Sequence, residues 1–140
     1  MPIGSTALDP NTEYKVYEFW FNGRVFYVGH SWGNIRHAKR WGHVKNLLKH
    51  EAAGTLTASK ARDLNTPNNR VIAALITRKL PEYTVQVHWS GRGKANAEPI
   101  EKQRIRELLG HGCVLANIKD NPSPASVHKV LKYLGVTIAA

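Results

Sequence analysis

The spacing of apolar positions sets out the elements of this chain before any chemistry is considered. Two segments, residues 14–21 (YKVYEFWF) and 24–29 (RVFYVG), are dense in aromatic and β-branched side chains, the kinds that fit a pleated surface. Asn22-Gly23 stands between them. Both residues tolerate the positive φ that a type I′ turn demands, so a β-hairpin is expected. Ser31-Trp32-Gly33-Asn34 reads as a turn capping a helix over residues 35–51, ended by Gly54, with Val44, Leu47 and Leu48 on its apolar side. The polar residues 55–65 read as a loop or a frayed helix end. Pro67-Asn68-Asn69 opens a second helix over 70–79 that buries Val71, Ala74, Leu75 and Ile76. Beyond Pro81, the alternation of Tyr83, Val85, Val87 and Trp89 is that of a strand. A glycine-rich loop, 90–96, leads to a third helix over 99–109 closed by Gly110. Ser123-Pro124 then carries the cap-and-first-turn signature of a last helix to Leu134, with Gly135 at its end.

The order β-β-α-α-β-α-α predicts a small α/β domain, the hairpin and one further strand forming a three-stranded sheet flanked by helices. Residues 1–13 are expected to be a loose leader, 14–121 the domain, and 122–140 a helical extension packed on it.

Composition narrows the class. A chain of 140 residues with 42% apolar content is long enough for one unstapled core and too apolar for wholesale disorder. No apolar run approaches the roughly 20 residues that span a bilayer. The first residues lack the basic and apolar regions of a secretion signal. Cys113 stands alone, which excludes an intramolecular disulfide and a cysteine-rich zinc site. A cytoplasmic protein with no membrane partner is expected.

Charge points to the partner. Twenty Lys and Arg against ten Asp and Glu leave a formal charge of +10, which attracts a polyanion such as nucleic acid. The excess is concentrated on the first helix, in Arg36, Lys39, Arg40, Lys45 and Lys49, with His37, His43 and His50 interleaved. Arg92 and Lys94 in the glycine-rich loop complete the candidate nucleic-acid-binding set. That loop lacks the G-x-x-x-x-G-K-S/T spacing of a phosphate-cradling P-loop, and no H-E-x-x-H pair supports a zinc hydrolase. Trp32 and Trp41 flank the basic helix and are candidates for stacking on a base; Trp20 and Trp89 read as sheet aromatics.

Tyr17 and Tyr27 fall on the paired strands. With Asn22-Gly23 at the tip, Phe21 pairs with Arg24 and Tyr17 faces Val28. Strict alternation then puts the two tyrosines on opposite faces unless a bulge shifts the register. Taken alone they are ordinary sheet aromatics.

Their setting carries more. Lys15-Val16-Tyr17, Tyr27-Val28-Gly29, a basic helix with arginine and histidine, then Glu101 and Asn117 occur in that order. This resembles the GIY-YIG nuclease family over roughly residues 14–121. The resemblance assigns Tyr17 and Tyr27 to the two motif tyrosines. Glu101, followed by Ile105 and Gly110, takes the metal-binding glutamate, and Asn117 the asparagine near the site. The arginine is either Arg40, followed by Trp41 and His43, or Arg36, which fits the distance from Tyr27 better. Arg36, Arg40 and His43 share one helix face by spacing. Lys15 replaces the family's first glycine, and Trp32-Gly33 lengthens the turn after the second motif.

What the resemblance implies is phosphodiester hydrolysis. Glu101 would hold one Mg²⁺ or Mn²⁺ ion, completed by water and phosphate oxygens. Tyr17 would act as the base, needing a close cation because a free phenol ionises only near pH ~10. Arg40 or Arg36 would clamp phosphate bidentately, His43 would share in proton transfer, and Tyr27 would orient water or phosphate. DNA is the expected substrate, with RNA as the other choice. With no separate recognition domain in view, specificity would come from a homodimer or a separate partner.

Each residue also has a plainer reading. Glu101 could simply pair with Arg104 or Arg106 on its helix, with Glu98 and Glu107 as competing acids. His43 could be a surface histidine, and Asn117 a turn residue ahead of Lys119-Asp120-Asn121-Pro122. A non-catalytic nucleic-acid-binding module and a basic structural subunit are the rival functions. The nuclease reading expects Tyr17, Tyr27, one arginine and Glu101 to converge, and it fails if Glu101 points away from Tyr17.

Overall fold

A computed structural model of the chain describes residues 12–32 and 35–137, the side chains of 35–39 excepted. The hairpin forms as its turn residues dictate: β1 (Glu13–Phe21) and β2 (Arg24–Trp32) are joined by Asn22 at φ 51° and Gly23 at φ 73°. Helices α1 (Ile35–Ala53), α2 (Ala58–Leu64) and α3 (Pro67–Thr77) follow. β3 (Thr84–Arg92) then pairs with the free side of β1, giving an antiparallel sheet in the order β2-β1-β3. α4 (Lys94–Gly110) and α5 (Val127–Tyr133) complete the domain.

The sheet separates two cores. Tyr17, Phe19 and Phe21 project to one face, against Val44 and Leu47 of α1, Val71, Ile72 and Leu75 of α3, and Val130 and Leu131 of α5. Tyr14 and Val16 of β1 project to the other, with Val25 and Val28 of β2, against Ala97, Ile105 and Leu108 of α4. β1 therefore alternates faces without buried polar interruption except at Glu18, which is 2% exposed. The hairpin tip is tied to the last helix: Asn22 donates to the Leu134 carbonyl at 3.0 Å and Arg24 to that of Tyr133 at 2.8 Å.

Several expected boundaries move. Of the expected Ser31–Asn34 turn, Ser31 and Trp32 belong to β2, whereas Gly33 and Asn34, like residues 1–11 of the expected leader, lie outside the described residues. Residues 55–65 contain a helix, α2, whose N-cap Thr57 accepts from the Lys60 N–H and whose Leu64 is fully buried. α3 begins at Pro67 itself, where a missing N–H does no harm. The glycine-rich segment is not a loop: β3 runs to Arg92, and Gly93 at φ 83° turns the chain directly into α4. Pro99 lies inside that helix and leaves the Ala95 carbonyl without its usual donor. The buried row Ala97, Glu101, Ile105 and Leu108 holds the helix through this defect. α5 is capped by Ser126 rather than Ser123. Among the described residues, no helix is long and apolar enough to cross a membrane.

Candidate active site

The register of the hairpin is where local pattern and final geometry part. Phe21 pairs with Arg24 and Trp20 with Val25, as a tight turn requires, but Phe19 pairs with Tyr27. Phe26 is the additional residue, a β-bulge fully buried in the core beneath α1 and α3. Tyr17 thus faces Gly29, not Val28. The shift by one turns Tyr27 onto the face that carries Tyr17, and the two rings lie 6.5 Å apart. Gly29 makes the seat: a Cβ there would stand 2.7 Å from Cζ and Oη of Tyr17 and 2.9 Å from Cε2 of Tyr27. The glycine of the Tyr-Val-Gly tripeptide is needed for space, since its φ lies outside the left-handed region.

On that face α1 contributes a polar chain. Arg40 donates to Oδ1 of Asn69 at 3.2 Å, Asn69 donates to Oδ1 of Asp63 at 3.1 Å, and Asp63 meets His43 Nε2 at 2.6 Å. Arg40 and His43 are therefore linked through α2 and α3, by Asp63 and Asn69. Asn69 is fully buried, which explains an asparagine in the first turn of a core helix. Tyr83 packs at a tilt against Phe19, with ring centroids 4.2 Å apart, and against Trp41 at 6.0 Å, and it feels the charges of Arg40 and Tyr17. Burial, then the neighbouring Glu82, pushes its pKa far above the ordinary 10.0, while Arg40 pulls the other way. The side chains of Arg36 and Lys39 lie outside the described residues. Lys45 and Lys49 are exposed on α1, as are Arg92 at the end of β3 and Lys94 at the start of α4.

Glu101 occupies the opposite face. It is 8% exposed and its partner is His30 Nδ1, not Arg104 or Arg106. Arg104, one turn on, pairs with Glu18, which also accepts from Trp20 Nε1 at 3.0 Å and has His88 at 3.8 Å. The hydrogen bond from Arg104 to Glu18 raises the guanidinium pKa above its ordinary value. Two acid–base pairs thus fix α4 to the sheet, Glu101 at β2 and Glu18 at β1. Among the described residues, no group of three or more His, Cys, Asp or Glu side chains gathers to hold a metal ion. The donors nearest to a metal role are the Glu101 carboxylate and the His30 imidazole.

Asn117 is neither a turn residue nor a pendant polar group. It is 6% exposed, accepts from the Val28 N–H at 3.0 Å and donates to the Val28 carbonyl at 2.7 Å. Ala116 donates to the Phe26 carbonyl at 2.7 Å, so the segment after α4 covers the edge of β2 as far as Val28. By the alternation of an antiparallel ladder, the next outward-facing backbone groups of that edge are those of His30.

The four expected residues do not share one pocket. Tyr17, Tyr27 and the Arg40 network lie on the α1 side, Glu101 on the α4 side. They nevertheless address adjacent residues of one edge strand: the Tyr17 hydroxyl lies over Gly29, and Glu101 grips His30. Sequence reasoning missed His30, Asp63 and Glu18, and it named Arg104 only as a partner for Glu101, whereas Arg104 pairs with Glu18. For His30 a signal existed, since it follows Val28 by two and shares its alternation. Compared with family models, curated proteins and solved structures, the chain finds no match.

Proposed function

We propose that this chain is a nuclease of the GIY-YIG kind, hydrolysing phosphodiester bonds of nucleic acid, DNA foremost, in the cytoplasm. The observation that carries the reading is the bulge at Phe26. It sets both motif tyrosines on one face, with Gly29 as the seat over which the Tyr17 hydroxyl lies.

In this reading a phosphodiester lies across the edge of β2 at Gly29 and His30. Tyr17 takes the proton from the attacking water, and Tyr27 orients that water or the phosphate. Arg40, or Arg36, faces the phosphate oxygens, and the tie through Asn69 and Asp63 restricts the rotamers of Arg40 and His43. His30 and Glu101 approach from the other side of the strand. Glu101 would hold a Mg²⁺ or Mn²⁺ ion, which when bound neutralises charge on the phosphate and the departing oxygen. One carboxylate completed by water and phosphate oxygens needs no preformed cluster of protein ligands. Asn117 is a positioning residue, clamping the backbone of Val28 between Tyr27 and Gly29.

One rival has a specific observation in its favour. The separation of Glu101 from Tyr17 by the sheet suits a module that binds nucleic acid through its basic surface and cleaves nothing. Incubation of supercoiled plasmid with Mg²⁺ or Mn²⁺, against an EDTA control, separates the two. Nicking that EDTA stops supports the nuclease; tight, salt-sensitive binding with no nicking in either metal supports the module.

A further inference from the structure

Buried polar groups are paired on one side of the sheet and not on the other. Glu18 and Glu101 on the α4 side, and Asn117 and Asn121 beside the β2 edge, all have hydrogen-bond partners. Among the described residues, the buried side chains left with an unpaired polar atom are Ser31, Asn68 and Tyr83, and all three lie on the α1 side. Asn68 is the extreme case: it is 6% exposed, and neither the nitrogen nor the oxygen of its amide has a partner. A buried amide without partners is destabilising, so packing alone does not account for it.

Its position in the helix supplies the rest. Asn68 is the second residue of α3, a helix of 11 residues whose first, Pro67, has no N–H. Thr66 at the N-cap makes no side-chain cap bond; its hydroxyl donates back to the Asp63 carbonyl at 3.0 Å. The first N–H of the helix to find an acceptor is that of Arg70, on the Thr66 carbonyl at 2.9 Å. The N–H groups of Asn68 and Asn69 therefore have no acceptor among the described residues, at the helix end where partial positive charge gathers. A helical Cα–Cβ bond tilts toward the N-terminus, so the Asn68 side chain is directed to the same end. Arg40 meets the next residue, donating to Asn69 Oδ1 at 3.2 Å, and its other N–H groups have no acceptor among the described residues. The nearby acid, Asp63, has both carboxylate oxygens engaged, one by Asn69 and one by His43. Open backbone N–H groups, an unpaired amide and a guanidinium on one helix end suit an oxyanion.

We infer that the first turn of α3 and Arg40 together hold one phosphate of the nucleic-acid strand, with Asn68 turning its amide onto a phosphate oxygen. The inference rests on the reading of the chain as a protein that acts on phosphodiesters, and it adds a second wall to the arginine clamp. The Asn68 amide has no hydrogen bond to break when it rotates toward the ligand. A contact to the phosphate backbone carries no base information, so it holds the strand in register whatever its sequence.

The experiment is an NMR titration of the isotope-labelled full chain with inorganic phosphate, and separately with a short oligothymidine, in EDTA and at fixed ionic strength. Both should give saturable shifts of the backbone N–H signals of Asn68 and Asn69 and of the Asn68 side-chain amide, and oligothymidine should displace phosphate from them. Asn68→Ala should bind inorganic phosphate about tenfold more weakly, the scale of one lost hydrogen bond to a charged group. Asn68→Asp, which keeps the shape and adds a negative charge, should bind it more weakly still. Signals at Asn68 and Asn69 that respond to neither ligand overturn the inference, as does an Asn68→Ala protein with undiminished phosphate affinity. Shifts with phosphate but none with oligothymidine overturn it too, because the helix end would then take a free anion and not a strand. The wild-type titration decides the outcome where a variant fails to fold. The two readings fail separately. Phosphate and oligothymidine bound at α3 with no nicking in Mg²⁺ or Mn²⁺ removes the nuclease alone, and nicking with no response at Asn68 removes the phosphate site alone.

Discussion

Gly29→Ala is the smallest change that reaches the tyrosine pair. An added methyl carbon would lie 2.7 Å from two atoms of the Tyr17 phenol and 2.9 Å from Tyr27, where comfortable carbon contacts begin at about 3.5 Å. The phenol of Tyr17 must therefore move by about 1 Å. Tyr17 is 2% exposed and packed against Phe19 and Tyr27, so it has little room to do so. Overpacking of this kind costs about 1–3 kcal/mol of stability. A 1 Å displacement of a reacting group slows turnover by about a hundredfold. Gly42→Ala is the internal control, because that glycine lies within α1 and, among the described residues, nothing outside the helix backbone would stand within 4 Å of an added Cβ; it should stabilise by up to about 1 kcal/mol. Urea denaturation of both variants reads the first effect, and plasmid nicking at matched folded concentration reads the second. A Gly29→Ala protein as stable and as active as the wild type would refute the seat, and with it the claim that the hairpin is built around Tyr17.

Three further outcomes follow from the same contacts. Asn117→Ala leaves the N–H and carbonyl of Val28 without their partners and should cost about 2–4 kcal/mol; a midpoint in urea close to wild type would show that the clamp is dispensable. Arg104→Ala takes the arginine from the 2%-exposed carboxylate of Glu18, leaving it Trp20 and the more distant His88, and should cost about 3–5 kcal/mol, whereas loss of the exposed Arg70–Glu51 pair should cost under about 1 kcal/mol. Comparable losses for the two would contradict the assignment of Glu18 as a buried anchor. Burial raises the Tyr83 pKa, so the folded state holds that proton more tightly than the unfolded chain does. Its contribution is complete below the ordinary value of 10.0 and is lost as pH rises from there towards the raised value. Stability should fall above pH 10.0, and Tyr83→Phe should flatten that fall by one proton's worth; an unchanged alkaline slope in the variant would remove Tyr83 as its source.

Much of the fold was legible because its determinants are local. Asn22-Gly23 dictates the turn, and Gly54 and Gly135 end α1 and the C-terminal helix at positive φ. The register was not legible, because nothing in Arg24–Gly29 singles out Phe26 as an extra residue; its burial beneath α1 and α3 does that, and those contacts are distant in sequence. The short α2 was missed since only Leu64 anchors it, and Pro99 masked a helix start five residues earlier. For the candidate site, order and type singled out Tyr17, Tyr27 and Arg40 as candidates, and the structure places the two tyrosine rings 6.5 Å apart on the α1 side of the sheet. Asp63 and Asn69, which tie Arg40 to His43, lay in a stretch read as a loop or frayed helix end and at the opening of the second helix, with nothing local to join them. Glu101 was found as a residue but not placed: which face of the sheet α4 covers is decided by packing, and no spacing within the helix reveals it.

The central claim is that one edge of β2, at Gly29 and His30, is served by Tyr17 from one face and Glu101 from the other. The most direct test is nicking of supercoiled plasmid by Tyr17→Phe and Glu101→Ala, each beside a measurement of DNA binding. Both variants should bind DNA within about threefold of the wild type, since net charge dominates that affinity. Both should also lose nicking by at least about a hundredfold. Nicking retained by either variant, with folding intact, would contradict the account.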